Sequence, residues 1–335
     1  MKARRPTIHD VAARAGVSKS LVSLALRGSD KVSPESRAAI LSAAEELGYR
    51  PNAAARNLAA RQSHTIGVLI LDFHNPIFAQ VLDGVQSVVR AAGYNLMLVT
   101  GNADGDVEAA EVTKLLEFQV EGLILIAHRM SGDALQRFSE ECPVVVITRR
   151  DSRGPDIATV SSDDVQGGRL ATEHLITLGH RAIGHISGGG ARIARDREAG
   201  YVQAMTAAGL TPLMSAGDFT DSGGYSATRA LLDAHPGLTA LFVANDLSAI
   251  GAMSAIADTG RRVPEDVSVI GYDGMGLGGI PNLSLTTMAQ PLTEMGAAAA
   301  EELFGRLKNG SFPHGNVEVP VTLLQRGSTA APAIG

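Results

Sequence analysis

The sequence predicts an all-α helix-turn-helix head, a short hinge helix, and a two-lobed α/β body with parallel sheets. Three observations carry this reading. Three short amphipathic segments, each ended by a glycine, precede residue 49. From Thr65 onward, branched apolar runs alternate with helical patterns. The charge is also divided: residues 1–63 hold eleven Lys and Arg against five acids, a net +6, and the remainder holds 18 against 30, a net −12. At 335 residues the chain exceeds one ordinary domain of about 100–200 residues. No apolar run approaches the ~18 residues of a membrane span. The start, MKARRPTIHD, lacks the apolar stretch and cleavage site of a secretory signal. The single Cys142 excludes an intramolecular disulfide framework and a thiolate cluster. A cytoplasmic protein is expected.

The head comes first in the chain. Thr7 and Asp10 have the spacing of a capping box before a helix whose apolar face is Ile8, Val11, Ala12 and Ala15. Gly16 stops it. Ser18 is placed to cap a second helix with a buried stripe of Leu21, Val22, Ala25 and Leu26, ended by Gly28. Ser33-Pro34 opens a third, with Ile40, Leu41, Ala44 and Leu47 inward. Two short helices across a glycine turn, braced by a third, have helix-turn-helix grammar. The second helix would then expose Lys19, Ser20, Ser23, Leu24 and Arg27. Lysine and serine near the start of such a helix suit base edges in a major groove, and Leu24 a thymine methyl. The basic excess fits a polyanion, whereas a nub packed on the body would not need it.

Residues 49–63 follow, YRPNAAARNLAARQS, with no large apolar face. Asn52 can cap a short alanine-rich helix whose one bulky apolar side chain is Leu58, next to Ala59. So short a helix is marginal alone. A segment ordered by DNA, with Leu58 as a minor-groove wedge, and a frayed tether both fit these residues.

In the body, TIGVLIL, YNLMLVT, GLILIA and PVVVIT alternate with helices starting near Pro76, Asp106 and Ser131. AIGHIS, LTALFVAN and VSVIGYD form a second set, with helices from about Arg192 and Leu247. Such runs indicate parallel sheets covered on both faces, and about nine strand–helix units fit two lobes. The helical pattern from Pro291 to Leu307 can cross back to the first lobe. Ligands of open α/β sheets bind at the carboxyl ends of strands. Those ends carry Asp72-Phe73, His128-Arg129, Thr148-Arg149, Asn245-Asp246 and Asp273. Amide, carboxylate and guanidinium groups suit the paired hydroxyls of a sugar or polyol. Phe73, Phe78 and Phe219 are candidates to stack on its ring in a chain with only five Tyr, eight Phe and no Trp. Helix capping is the plainer account of any one strand-end polar residue, but it is weaker for the set.

Other chemistries are weaker. Gly274–Gly279 matches G-x-G-x-x-G, but Pro281 follows where a helix should open, so a loop is expected. His174, His180 and His185 spread over a helix end, a turn and a strand without zinc-site spacing. No P-loop and no G-x-S-x-G elbow occur. No metal, cofactor or catalytic residue is expected.

TIHDVAARAGVSKSLVSLALRG and VSPESRAAILSAAEELGYRPNAAARNLAARQSHTIGVLI resemble the head and hinge of LacI/GalR-family regulators. DDVQGGRLATEHLITLGHRAIGHISG, ARDREAGY, ALFVANDLSAIGAM, VIGYDGM and SLTTMAQP resemble that family's effector domain, which is periplasmic-binding-protein-like. The resemblance implies base readers at Lys19, Ser20 and Leu24, the last a departure from the arginine of many members, and a minor-groove leucine at Leu58. It also implies effector contacts at Arg197, Asn245, Asp273 and Gln290, with Phe219 stacking. Thr148 stands where members often carry an acid. The DNA-contact set is therefore Thr7, Ser18, Lys19, Ser20, Ser23, Leu24, Arg27, Asn52, Leu58 and Ala59. The effector set is Asp72, Phe73, Phe78, His128, Thr148, Arg149, Arg197, Phe219, Asn245, Asp273 and Gln290. Expected partners are a near-palindromic double-stranded DNA operator, a sugar-like effector and a second copy, since the tail TLLQRGSTAAPAIG has no tetramerising heptads. Expected divisions are 1–48, 49–63 and 64–335, with lobes of about 64–160 plus 290–320 and about 161–289 plus 321–330. The alternative is a cytoplasmic sugar-binding or sugar-processing protein with an unrelated basic head.

Overall fold

The computed structural model describes residues 6–26, 28–49, 63–148 and 154–333. The chain divides into two compact units, Met1–Ser63 and His64–Gly335. In the first, α1 (Ile8–Ala15), α2 (Lys19–Leu26) and α3 (Pro34–Glu46) enclose Val11, Val22, Ala25, Val32, Ile40 and Ala44. The Thr7 amide donates to Asp10 at 2.7 Å, satisfying an otherwise orphaned donor at the helix start. Gly16 closes α1 with φ 68°, a left-handed conformation in which glycine meets no Cβ penalty. Ser18 Oγ accepts from Leu21 N, and Ser33 Oγ from Ser36 N, both at 3.2 Å. Arg37 donates to the carbonyls of Ala25 and Ser29, at 3.2 and 2.7 Å, and ties α3 to the end of α2.

Two side chains in the head depart from expectation. Leu41 is 49% exposed, and Ala43 takes the inward place. At 3.6 residues per turn Leu41 is swung away from the Ile40–Ala44 stripe. Leu24 is half-buried against the core rather than fully exposed. It and Leu21 each precede a member of the Val22–Ala25 stripe, so they flank it.

The second unit holds two six-stranded sheets. The first uses β1 (Thr65–Ile70), β2 (Asn95–Thr100), β3 (Gly122–Ile126), β4 (Val144–Ile147), β5 (Ile157–Ser162) and β11 (Asn316–Val319). Its order is β11-β5-β4-β3-β1-β2, all parallel. The second uses β6 (Ile183–Ile186), β7 (Leu213–Ser215), β8 (Ala240–Val243), β9 (Ser268–Asp273), β10 (Thr286–Ala289) and β12 (Thr322–Leu324), in the order β12-β10-β9-β8-β6-β7. Only β12 in it runs antiparallel. β1, β3 and β4 are buried throughout, as continuous apolar runs require. β2 is an edge strand and half exposed.

Helices cover both sheets: α4 (Ile77–Ala91), α5 (Gly105–Glu117) and α6 (Gly132–Glu141) in the first lobe, then α7 (Asp164–Thr177), α8 (Arg192–Ala207), α9 (Asp221–Ala234) and α10 (Asp246–Ala257) in the second. The chain returns through α11 (Leu292–Asn309), which packs on α4 and on β3, β4 and β5. It thus passes between the lobes three times, after β5, β10 and β11. Among the described residues no helix is long and apolar enough to cross a membrane.

Three helix pairs touch backbone to backbone through reciprocal glycines. A Cβ at Gly84 of α4 would lie 1.9 Å from Thr293 O, and one at Gly296 of α11 would lie 1.9 Å from Val81 O. Gly168 and Gly200 join α7 to α8, against the carbonyl oxygens of Arg197 and Val165, both at 2.1 Å. Gly224 and Gly251 join α9 to α10, against Ser248 O at 2.2 Å and Asp221 O at 1.9 Å. Backbone cannot yield as a side-chain tip can, so one methyl must separate the helices. Gly296→Ala is expected to destabilise the protein by at least about 1–3 kcal/mol in chemical denaturation. Gly132→Ala, where an added Cβ meets nothing within 4 Å, is expected to stay within about 0.5 kcal/mol of the parent.

Candidate functional site

On the head, Ser18, Lys19 and Ser20 are exposed at the start of α2, and Thr7, Ser23 and Leu24 are half-buried. The Thr7 hydroxyl also donates to Asp10, at 2.7 Å. Arg27, Asn52, Leu58 and Ala59 lie outside the described residues.

In the second unit, the carboxyl ends of strands from both sheets face one cleft of about 660 Å³. Of the expected effector residues, Asp72, Phe78, His128, Thr148, Arg197, Phe219, Asn245, Asp273 and Gln290 line it. Phe73 does not: it is 61% exposed and absent from the cleft wall. It follows Asp72, whose carboxylate turns back to accept from His74 N at 2.6 Å and Asn75 N at 3.1 Å. Phe78, in the first turn of α4, is 4% exposed and belongs to the core of the first lobe as well as to the cleft wall. Arg149 lies outside the described residues.

Arg197 is the centre of the polar wall, and it is 2% exposed. Its Nε donates to Asp164 at 2.8 Å and its Nη1 to the Ala244 carbonyl at 2.6 Å. Asp273 Oδ1 stands 3.5 Å from Nη1, a weaker contact than that with Asp164. The guanidinium carbon lies 3.7 Å from the centre of the Tyr272 ring and 5.9 Å from that of Phe219. Burial opposes this charge, but Asp164 and Asp273 hold its pKa above the ordinary value. Burial in turn raises the Asp164 carboxyl, with Arg197 pulling it down. Burial also pushes Asp273 up to about 6, against the pull of Arg197 and Gln290. Asp246 rises to about 7 through burial and then the nearby Asp273 charge. It accepts from Thr287 Oγ1 at 2.6 Å and Met275 N at 2.7 Å.

A hydrogen-bonded chain joins this wall to two of the lobe crossings. Gln290 Nε2 donates to Asp273 Oδ1 at 2.7 Å, and Ser162 Oγ donates to Gln290 Oε1 at 2.7 Å. Asn245 Oδ1 caps α10 by accepting from Ser248 N at 3.0 Å, and its Nδ2 donates to the Phe219 carbonyl at 3.1 Å. The Phe219 ring occupies the space where Gly188 lacks a Cβ, which would stand 2.1 Å from its Cζ. Ala127, Thr148, Phe219 and Asp273 all line the cleft, with φ of 57°, 82°, 68° and 114°. Ala103, with φ 63°, lines it too, so five non-glycine residues in this region store backbone strain at the site, of order 1–3 kcal/mol each.

Asp164, Tyr272 and Ser162 were not among the expected site residues. The Asp163-Asp164 pair directly after β5 was their one visible signal, and it reads locally as a helix cap, a role Asp163 does fill. Gly276–Gly279 forms a 3₁₀ turn rather than opening an α-helix. His180 bonds Thr239, Ser268 and the Ala330 carbonyl at 2.9–3.1 Å, and His174 bonds Thr329 at 3.0 Å. His185 is stacked between Tyr201 and Phe242, and burial lowers its pKa to about 4.

Comparison with known proteins matches residues 7–52 to bacterial regulatory proteins of the lacI family and residues 172–329 to a periplasmic binding protein-like domain. The HTH-type transcriptional regulator CelR of Thermobifida fusca is 37% identical over 318 residues, which is 91% of this chain and 92% of that protein. The lac repressor dimer bound to operator and the anti-inducer ONPF superposes with a TM-score of 0.86 at 29% identity, covering 98% of this chain and all of that one. A transcriptional regulator CelR–cellobiose complex superposes at 0.73 with 34% identity, covering 97% and 100%.

Because Asp273 binds its proton more tightly folded than unfolded, the folded state holds more protons between pH ~4 and ~6. Its contribution to stability therefore falls as pH rises through that window. Asp273→Asn keeps an oxygen for Gln290 and has no such proton. In denaturation curves from pH 4 to 7, the variant is expected to gain on the parent by up to about 3 kcal/mol as pH rises. A constant difference would contradict the raised carboxyl.

Proposed function

The chain belongs to the LacI family of bacterial regulatory proteins, and on that premise we propose how its cleft and head work together. It is a DNA-binding regulator whose operator affinity is set by a small polar effector. The observation that carries the proposal is the cleft between the two sheets, whose polar wall is centred on Arg197 and Asp273.

In this reading α2 enters a major groove, with Lys19 and Ser20 at base edges and Leu24 presenting its remaining exposed edge. Two protomers place two such helices on a near-palindromic site, and Leu58 wedges the minor groove between them. In the cleft, among the described residues, no hydrogen bond occupies Arg197 Nη2 or Asp273 Oδ2. An acceptor and a donor side by side suit adjacent hydroxyls of a sugar, and Phe219 covers the apolar face of its ring. A hydroxyl seated on Asp273 meets the carboxylate that holds Gln290, which Ser162 also holds. Ligand thereby acts on the segments that cross between lobes. The coupling equals the difference in effector affinity between the DNA-competent and incompetent arrangements. The protein works in the cytoplasm as a homodimer and catalyses no reaction. The lac repressor likeness in complex with operator and the CelR likeness in complex with cellobiose support this reading over a sugar-processing protein with an unrelated head.

Lys19→Ala is expected to relax preference at one base position by about 1–3 kcal/mol. Leu58→Ala is expected to weaken specific binding while leaving salt-sensitive, non-specific binding nearly intact. Randomised-site selection and duplex titration at two salt concentrations read both. Equal loss of the two binding modes would remove the wedge role.

Asp273→Ala is expected to abolish the effector response yet retain operator binding, since it leaves the head untouched. Operator titrations with and without a sugar panel, beside melting curves, check this. Loss of operator binding in step with loss of folded protein would make Asp273 purely structural.

A further inference from the structure

We propose that the effector of this chain carries an oxyanion, a carboxylate or phosphate, received by Arg129, Arg192 and Arg195 at the edge of the cleft. The proposal rests on the cleft being the effector site. All three arginines line it and are exposed. Arg129 follows β3 of the first lobe, and the other two open α8 of the second. Each carboxylate of the same wall already holds a hydrogen bond through one of its oxygens. Asp72 is turned into its own loop, Asp218 accepts from Thr220 N and Oγ1 at 3.0 and 2.6 Å, and Asp273 holds Gln290. Among the described residues, the guanidinium groups of Arg129 and Arg195 make no hydrogen bond or ion pair within 4 Å, and the Arg129 charge draws only on the Glu108 carboxyl. Arg192 reaches Asp196 only at 3.6 Å.

The start of α8 is an independent pointer. Its N-cap is Ala191, which offers no side-chain acceptor, and its first turn holds no acid. Of the other helices that start at the cleft, α9 is capped by Thr220 and α10 by Asn245, whereas α4 and α11 also lack a side-chain cap but carry no arginine in their first turn. Two arginines at the positive end of an uncapped helix oppose the helix dipole, so folding alone gives no reason for them there. An oxyanion resolves the conflict, because it accepts from the free amides and pairs with guanidinium groups in two-pronged geometry. Gly190 leaves its approach open, since a Cβ there would meet nothing within 4 Å. An anion bonded to arginines of both lobes also favours their approach, which a neutral sugar of the same shape does not.

The test compares the full-length chain with an Arg129→Gln/Arg195→Gln double variant. Both sites are exposed, and matched melting without ligand checks that the variant folds. Inorganic phosphate is titrated against chloride of equal ionic strength, and glucose, glucuronate and glucose 6-phosphate are compared by calorimetry. Phosphate should raise the Tm of the parent, bind at least tenfold more weakly to the variant, and the charged hexoses should bind at least tenfold tighter than glucose. The basic head also attracts phosphate, so the loss in a variant altered only in the body locates the site. The ranking of glucuronate against glucose 6-phosphate separates carboxylate from phosphate. No phosphate-specific shift in the parent, or an equal shift in the variant, overturns the proposal. If neutral glucose then binds in a manner sensitive to Asp273→Ala, the effector reading stands without the anion. If phosphate binds at the arginines but no hexose depends on Asp273, the anion site stands and the sugar reading falls.

Discussion

A guanidinium withdrawn from water organises the second lobe. Arg197 is enclosed by α7, α8 and the ends of β8 and β9, where an uncompensated charge would be strongly destabilising. Its two carboxylates come from distant parts of the chain, Asp164 from the start of α7 and Asp273 from the end of β9. Satisfying one buried charge therefore fixes where three elements begin or end. The face of Tyr272 completes the enclosure. The same charge borders the cleft, so the group that stabilises the lobe also confronts whatever enters. Any change at Arg197 therefore alters the packing of the lobe and the wall of the cleft together.

Local chemistry made much of the architecture legible. The glycine stops, the serine caps and the apolar runs of β1, β3 and β4 each report a structure formed within a few residues. What stayed hidden depends on neighbours remote in sequence. β5, IATVSS, is buried along its whole length although half of it is hydroxylated. Thr159 bonds Asn316 and Ser162 bonds Gln290, so its polar atoms are satisfied by segments that no local pattern reveals. No helix is predicted over α9, DSGGYSATRALLDA, where Gly223 and Gly224 weaken the local helical pattern and Gly224 instead serves the contact with α10. At the cleft, strand-end position found Asp72, Thr148, Asn245 and Asp273. It could not distinguish Phe73, turned outward, from Phe219, seated over Gly188.

The reciprocal glycines and the polar crossings divide rigidity from freedom. Helices whose backbones touch cannot slide without loss of close packing, so α4–α11, α7–α8 and α9–α10 act as solid pairs. The chain between the lobes is held by the side-chain bonds of Ser162, Gln290 and Asp273, which are exchangeable. The same crossing also carries a backbone bond, from Gln290 N to the Asp273 carbonyl at 3.1 Å, so side chain and backbone together set how the lobes are joined there.

Strand order has a consequence for how the protein is made. β11 completes the first sheet by pairing with β5, and Thr159 meets Asn316 across 157 residues of chain. The second sheet receives β12 later still, and Ser328 then bonds the backbone of Val269, at the head of β9. At about 5–20 residues per second, β5 waits roughly 8–30 s for its edge partner to leave the ribosome. The head closes on contacts within its own forty-odd residues and has no such delay. A nascent chain therefore carries a finished head while both lobes still present an unpaired strand edge, the kind of edge on which chains can pair with one another.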